Sequence, residues 1–331
     1  MWKWFNYASS AVPPTKQALR LNLDETSVGL FQGDGKGNIF ASKKRNLRQH
    51  ASRRQRRRCL THVAVICDQS EIQPLLPQII IGNRSTCPLR RMRALRAQCP
   101  ANVFLVRQKS AWNNNIVCAG IVNRIALALA PFVHRFQPVL LMDACKIHFC
   151  QRVLQNCARN GIWVVIIPPL DTWLLQPLDT GCFALYKACL QDEYQNARSQ
   201  STDDELTMEQ FLACVCGVIR HVLQGRTWAS AFDDDGFGAQ QTCVSQRVID
   251  HLHALTATDI SSLRPSLAEI ELCFPRRTAV PMQLLMRPFD EPQGAASPYV
   301  AVVPRSESSL GPMRGPKGAP LLPHRARLQM S

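Results

Sequence analysis

The chain has 331 residues, of which 46% are apolar, and carries 39 Lys and Arg against 24 Asp and Glu. This apolar fraction predicts a folded body, and the formal net charge of +15 favours a polyanionic partner such as nucleic acid over an acidic small molecule. Fourteen cysteines are spread through apolar segments, which is typical of reduced, buried thiols rather than of a disulfide framework. The chain start lacks the apolar core of a signal peptide, and no uncharged apolar run is long enough to span a bilayer. We therefore expect an intracellular protein without a membrane partner.

The first half of the chain predicts several strands. Residues 1–15 show no periodicity and are interpreted as a remnant of a preceding domain or as an artefact of start-site choice. Residues 19–23 alternate between apolar and polar side chains, which predicts a half-buried strand that leads to Asp24. Residues 61–67, 77–81 and 102–106 predict further strands, which together with the first one would form an antiparallel meander.

A basic segment interrupts these strands. Residues 43–58 contain nine Lys or Arg and no acidic residue. A solvated loop is consistent with this run, and so are nuclear import and contact with a phosphate backbone. The expected location is therefore the nucleus, and otherwise the cytoplasm. The candidate nucleic-acid-binding residues are Lys43, Lys44, Arg45, Arg53, Arg54, Arg56, Arg57 and Arg58.

The second half begins with a predicted helix over residues 112–130, where apolar residues recur at helical spacing. Two apolar runs, 139–142 and 162–167, then have the length and branching of buried strands. The first run ends on Asp143. After the second run come two prolines, a short loop, and a helix-like segment that contains Asp179. Proteins with parallel α/β sheets bind ligands where strands end and where the following helices begin. Asp143 and Asp179 occupy positions of these two kinds, which makes them candidates for a ligand site.

These residues carry a family resemblance. The pattern of Asp143, four residues, His148, an apolar strand, Pro-Pro, Thr172 and then Leu-Leu-Gln-Pro-Leu-Asp resembles the catalytic core of DDE superfamily endonucleases of the pogo and Tigger transposase group. The sequence LNLDET at 21–26 resembles the strand with that family's first catalytic aspartate. The resemblance extends from about residue 16 to about residue 231. It implies an α/β fold of the RNase H type, in which a mixed sheet of three antiparallel strands followed by parallel strands is flanked by helices.

The resemblance and the composition together predict four regions. Residues 1–15 are the remnant, and residues 16–231 form the catalytic domain with the basic insertion 43–58. Residues 232–286 form a helical extension. Residues 287–331 form a disordered proline-rich tail, because eight of the chain's 22 prolines follow Arg287.

The resemblance also implies a metal site. Asp24, Asp143 and Asp179 would be the catalytic residues and the ligands of two Mg²⁺ or Mn²⁺ ions, since these hard cations require oxygen ligands. The implied reaction is metal-dependent phosphodiester hydrolysis on DNA, followed by strand transfer from the freed 3′ hydroxyl. Taken singly, an aspartate at a strand end or helix start is more often a cap or turn residue.

Neighbouring residues have more than one interpretation. Thr172 and Gln176 are candidates for substrate positioning. His148 either orients the substrate or a carboxylate, or is a partly buried histidine whose hydrogen bonds are satisfied. Glu25 follows Asp24 on the other face of the strand and is interpreted as structural.

Some positions depart from the family pattern. Ala144, Leu170 and Trp173 stand where family members commonly have asparagine or histidine. The helix-turn-helix region that precedes the core in full-length relatives has no room before Leu21, so we expect no sequence-specific recognition of transposon ends. The alternative function is a catalytically silent, domesticated or truncated transposase that only binds DNA. A homodimer is left open.

Overall fold

The structure, a computed structural model, describes residues 1–29, 59–85, 87–201, 206–238, 246–252, 264–276 and 278–290. The basic segment 43–58 lies outside the described residues, so the nucleic-acid-binding role of its lysines and arginines stays a prediction. Residues 291–331, most of the expected tail, lie outside them as well.

A six-stranded mixed sheet forms the centre of the fold. Its strands lie in the order β4-β3-β2-β1-β5-β6. Strand β2 is antiparallel to both of its neighbours, whereas β5 is parallel to β1 and β6 is parallel to β5. The predicted α/β fold, with three antiparallel strands and then parallel ones, is therefore confirmed. The strands are β1 (Gln17–Gly29), β2 (Cys59–Cys67), β3 (Gln78–Asn83), β4 (Val103–Gln108), β5 (Phe136–Asp143) and β6 (Trp163–Ile167).

The antiparallel meander was predicted to include β4, and this part of the prediction was wrong. Strand β4 pairs with β3 in parallel. Parallel neighbours need a crossover connection, which is usually a helix. Helix α2 (Leu89–Ala97) provides it. The sequence analysis did not predict this helix, because four arginines in nine residues leave only a narrow apolar stripe.

Both faces of the central strands are buried. The run 139–142 of β5 is fully buried, as is typical of parallel strands that are covered on both sides. Helices α3 (Asn115–Leu129), α4 (Gln151–Arg159) and α6 (Phe183–Ser199) follow the strands in the sequence. On α6, the hydroxyl of Tyr186 lies 3.0 Å from Nδ1 of His62 on β2, which fixes this helix against the sheet. The twelve cysteines whose side chains the structure describes are free, and eight of them are buried.

Helix α3 confirms the helix predicted over 112–130, although it begins after Asn114. The Asn114 side chain caps it by accepting hydrogen bonds from the backbone N–H groups of Ile116 and Val117, both at 3.0 Å. By length and composition alone, the segment Asn115–Phe132 could cross a membrane, and core helices meet the same criterion. Its apolar residues at helical spacing, such as Ile121 and Ile125, are buried in the core.

The first residues belong to the folded core. Helix α1 (Trp2–Ser10) buries Trp4, Phe5 and Ala8. The ring of Phe5 meets that of Phe237 edge-on, with centroids 4.8 Å apart. Nine residues are too short for a clear helical period, which is why the sequence analysis found no pattern in this segment.

Helices also form after the predicted catalytic region. These are α7 (Met208–Val218), α8 (Ala229–Asp234), α9 (Gln246–Leu252), α10 (Leu267–Glu271) and α11 (Met282–Asp290), and a short α5 (Thr172–Leu175) precedes α6. The ring of Phe289 on α11 contacts those of Tyr7 and Trp163, at centroid distances of 5.1 and 5.3 Å. Residues 287–290 were expected to begin the tail and instead complete this helix, because Phe289 anchors them in a way that the proline content does not reveal.

Candidate active site

Two of the three aspartates lie at the carboxyl ends of neighbouring strands. The paired residues of β1 and β5 end with Asn22 opposite Leu141. Asp24 and Asp143 each follow two residues later on their own strand, so the alternation of side chains places both on the face that Asn22 occupies. Neighbouring strands are about 4.8 Å apart, and the register therefore makes the two carboxylates neighbours.

Asn22 joins this pair to the segment that carries Asp179. Its side-chain N–H donates to the carbonyl oxygen of Leu141 at 3.0 Å. Its side-chain oxygen accepts the backbone N–H of Leu178 at 2.9 Å. The side chain is completely buried. One carboxamide thus connects the strand of Asp24, the strand of Asp143 and the residue before Asp179. Asn22 was not predicted from the sequence as a site residue, although an asparagine inside an apolar strand, two residues before an aspartate, is a signal that could have identified it.

Asp179 lies in a π-helical turn (Leu178–Cys182) that leads into α6. Its backbone N–H donates to the carbonyl oxygen of Gln176 at 2.8 Å. Two residues later, a Cβ on Gly181 would lie 3.2 Å from Cβ of Ala231 on α8. Helix α8 therefore packs closely over this turn. Asp179 itself is exposed, in contrast to the buried Asp24.

A second contact stabilises the turn that contains Asp179. The Thr180 hydroxyl donates to the buried Asp235 at 2.8 Å. Asp235 also forms an ion pair with Arg247 on α9. Burial raises the pKa of Asp235 to about 7, although the contacts with Thr180 and Arg247 partly offset this effect. The helical extension therefore supports the turn of Asp179.

The three aspartates influence one another electrostatically. Burial raises the pKa of Asp24 to about 8, and the charges of Asp179, Glu25 and Asp143 raise it further. Burial also raises the pKa of Asp179, with a contribution from Asp143, whereas Lys187 lowers it. Mutual repulsion of this kind requires that the carboxylates converge on one region.

His148 bridges two carboxylates. It is completely buried, and its Nδ1 is hydrogen-bonded to Oδ1 of Asp143 while Nε2 lies 3.3 Å from Oε1 of Glu25. Burial alone would lower the pKa of His148, but the hydrogen bonds to Asp143 and Glu25 raise it well above its ordinary value. Burial likewise raises the pKa of Asp143, and the contact with His148 outweighs this effect and lowers it. This geometry agrees with both interpretations, because His148 contacts the Asp143 carboxylate and both of its ring nitrogens have a partner.

Glu25 takes part in the same network. Asn113, which precedes α3, donates a side-chain hydrogen bond to the Glu25 oxygen that His148 approaches. Glu25 alternates with Asp24 along the strand, as expected. Glu25 is nevertheless connected to Asp143 through His148 and therefore belongs to the surroundings of the site. The alternation of side chains along the strand does not predict this connection.

The loop after β6 contains the remaining candidates. Gln176 is completely buried, and among the described residues neither polar atom of its side chain has a hydrogen-bond partner. Thr172 is partly exposed at the start of α5. Leu170 has a φ of 73° and is 87% exposed, and Trp173 is 59% exposed. A leucine in the left-handed region is strained, and such strain clusters at functional sites.

The donor chemistry of the site fits a divalent cation. Three carboxylates offer hard oxygen ligands, and Mg²⁺ is usually held by one or two carboxylates together with waters and substrate phosphates. The surplus negative charge around Asp24 favours a cation at this position. Within the described parts of the chain, no group of three or more His, Cys, Asp or Glu side chains is already arranged around a metal position. Asp143 is instead engaged by His148.

The fold and the candidate site together define a class of protein. It is the class of α/β proteins with a mixed sheet of the RNase H type and acidic residues where the central strands end. Residues 64–222 match the family model of the DDE superfamily endonucleases. This match confirms the resemblance found in the sequence. The match includes Asp143 and Asp179 and begins after Asp24.

Two further comparisons complete this result. A solved structure described as "Mos1 transposase paired-end complex with left transposon end" aligns with a TM-score of 0.36 and 11% identity. The alignment covers 72% of this chain and 62% of that chain, so this chain spans less than two thirds of the Mos1 protein's length. No curated protein matches the sequence.

Proposed function

We propose that this protein is a metal-dependent DNA endonuclease of the transposase type, which hydrolyses a phosphodiester bond and then transfers the freed 3′ end. The observation that supports this proposal is that the buried Asn22 side chain joins the backbone of the two strands and of the turn that carry Asp24, Asp143 and Asp179. The match of residues 64–222 to the DDE superfamily endonucleases supports the reaction class.

Asp24, Asp143 and Asp179 would hold two Mg²⁺ or Mn²⁺ ions. Such a pair supplies an activated water and stabilises the leaving oxygen of an in-line displacement. Asp24 must first lose a proton, because its pKa near 8 keeps it protonated at neutral pH without a cation. Asp179 is exposed and is therefore accessible to a substrate that approaches from solvent.

His148 has a supporting role in this proposal. As a protonated side chain between Asp143 and Glu25, it fixes the direction of the Asp143 carboxylate and balances part of the local negative charge. Thr172 is partly exposed beside the loop after β6, where it would contact the substrate. Gln176 is completely buried, so it would position the substrate only indirectly, from beneath this loop, and its carboxamide lacks a hydrogen-bond partner among the described residues.

Nicking of supercoiled plasmid DNA in Mg²⁺ or Mn²⁺ tests the proposal. The wild type should nick, and Asp143→Asn should reduce nicking to the background rate. Asp192→Asn makes the same chemical change at an exposed position on α6 and should nick like the wild type. Equal nicking by the wild type and Asp143→Asn would overturn the catalytic proposal and leave the DNA-binding alternative.

The nuclear location is a proposal that depends on the basic run 43–58. A fluorescent fusion of the whole chain should accumulate in nuclei, and deletion of residues 43–58 should abolish this accumulation. A uniform distribution of both proteins would contradict the proposal. Sedimentation of the purified chain over a range of concentrations tests whether it forms a homodimer.

A further inference from the structure

A groove runs along the surface between helices α3 and α4. It encloses a cavity of about 830 Å³. None of the described residues that line it is acidic, and the two helices contain no Asp or Glu along their whole length. Asn156 on α4 donates to the carbonyl oxygen of Ala119 on α3 at 2.9 Å, which ties the two helices together at the base of the groove.

One end of the groove lies beside the candidate active site. Asn113 precedes α3 and His148 precedes α4, and both contact the same oxygen of Glu25. Glu25 is the neighbour of Asp24 on β1. The amino-terminal ends of both helices are therefore held next to the carboxylates, and the groove leads away from that position.

The wall formed by α4 presents a positively charged stripe. Arg152, Gln155, Asn156 and Arg159 follow one another at spacings of three, one and three, so they share one face of the helix. Arg152 and Arg159 are exposed, and within the described parts of the chain neither side chain has a carboxylate or hydrogen-bond partner. At 1.5 Å per residue, they are about 10 Å apart along the helix axis.

The wall formed by α3 leaves room for a ligand. Ala119 and Gly120 line the cavity with minimal side chains. A Cβ atom built on Gly120 would meet no atom within 4 Å, so the space above this residue is open. The axes of packed helices lie about 8–10 Å apart, so the groove between them is too narrow for a whole duplex.

We propose that this groove binds the sugar–phosphate backbone of the DNA strand that carries the scissile phosphate. Guanidinium and carboxamide groups donate hydrogen bonds to phosphate oxygens, and the absence of carboxylates along the walls removes the repulsion that would oppose a polyanion. Trp112, 78% exposed next to Asn113, offers an aromatic face for a base at the end nearest the carboxylates. This inference rests on the proposed function and identifies where its substrate lies.

Binding of a fluorescent single-stranded oligonucleotide over a range of salt concentrations tests the charged stripe. Each phosphate contact on a single strand contributes about 0.7 to the slope of log affinity against log salt. Arg152→Gln together with Arg159→Gln should therefore lower the slope by about 1.4 and weaken binding roughly tenfold at low salt. Arg90→Gln together with Arg93→Gln removes the same charge from the exposed face of α2 and should retain the wild-type slope.

A second pair of variants tests the open space. Gly120→Glu places a carboxylate and added bulk inside the groove, and it should weaken both oligonucleotide binding and plasmid nicking. Gly217→Glu makes the same change on α7, where a Cβ would also meet no atom within 4 Å, and should leave both properties unchanged. Circular dichroism checks that all four proteins are folded.

The outcomes separate this inference from the proposed function. If the wild type nicks DNA and the groove variants bind and nick like it, the groove inference is overturned and the endonuclease proposal stands. If binding depends on the groove but no protein nicks, the groove stands as a binding site for a single DNA strand and the endonuclease proposal fails. Absence of any oligonucleotide binding by the wild type would overturn the groove inference.

Discussion

Replacement of Asn22 tests whether a single side chain holds the three aspartates in place. Asn22→Leu keeps the number and branching of the side-chain heavy atoms but leaves the Leu178 N–H and the Leu141 carbonyl without their side-chain partner. An unsatisfied buried polar group costs about 1–3 kcal/mol, so for these two groups we expect the free energy of unfolding to fall by about 2–6 kcal/mol.

Gln73→Met provides a matched control. Gln73 is also completely buried, and its side chain accepts from the Cys67 N–H at 2.6 Å and approaches the Val65 carbonyl at 3.4 Å. Both contacts are to β2 and to none of the elements that carry Asp143 or Asp179. The Val65 carbonyl keeps the Gln78 amide as a donor at 2.8 Å, so Gln73→Met should lower the free energy of unfolding by about 1–3 kcal/mol through the Cys67 N–H alone, as measured by urea unfolding.

The two variants should differ in activity. Displacement of a catalytic group by about 1 Å can lower a rate about 100-fold, so Asn22→Leu should nick plasmid DNA about 100-fold more slowly than the wild type. It should also need more Mn²⁺ to reach half of its maximal thermal stabilisation. Gln73→Met should match the wild type in both assays at a temperature where all three proteins are folded. If Asn22→Leu also matches the wild type, Asn22 serves stability alone and the reasoning is refuted.

Three further predictions concern charged groups. Because the pKa of Asp24 is about 8 in the fold and about 3.8 in an exposed chain, the metal-free native state binds more protons between these values, and its stability should fall by about 1.4 kcal/mol per pH unit from pH 5 to pH 7. Asp24→Asn should lack this pH dependence when stability is measured by urea unfolding in the presence of EDTA. Parallel curves of stability against pH for the wild type and Asp24→Asn would contradict this prediction. His148→Gln should cost about 3 kcal/mol near pH 6 and less as the pH rises through the raised pKa of His148, since a cation between carboxylates stabilises only while protonated. A pH-independent loss would argue against that charge. Arg20→Met should cost about 3–5 kcal/mol by leaving the buried Asp68 unpaired, and adding Asp68→Leu should restore much of the loss in thermal unfolding.

The sequence predicts the parallel half of the sheet well. The runs in β5 and β6 are continuously apolar because both of their faces are buried, and that pattern survives in a single sequence. The direction of β4 was not predicted. Strand β4 is parallel to β3 because helix α2 connects them, and the arginines of α2 leave too narrow an apolar stripe for the helix to be recognised in the sequence. Helix α1 escaped prediction because its aromatic residues derive their burial from distant partners such as Phe237.

The candidate site likewise has features that the sequence predicts and features that it does not. The positions of Asp143 and Asp179 are visible as a strand end and a helix start, and the resemblance supplied Asp24 as their partner. The contacts that orient them depend on tertiary structure: His148 reaches both Asp143 and Glu25 only because the turn after β5 folds back over the end of β1. Spacing along the chain contains no information on such a contact.

A crystal soaked in Mn²⁺ tests the central claim most directly. Anomalous scattering should show manganese bound by oxygens of Asp24, Asp143 and Asp179, with Asn22 still joined to Leu141 and Leu178. A well-ordered crystal in which these three carboxylates bind no manganese at saturating concentration would contradict the proposed metal centre.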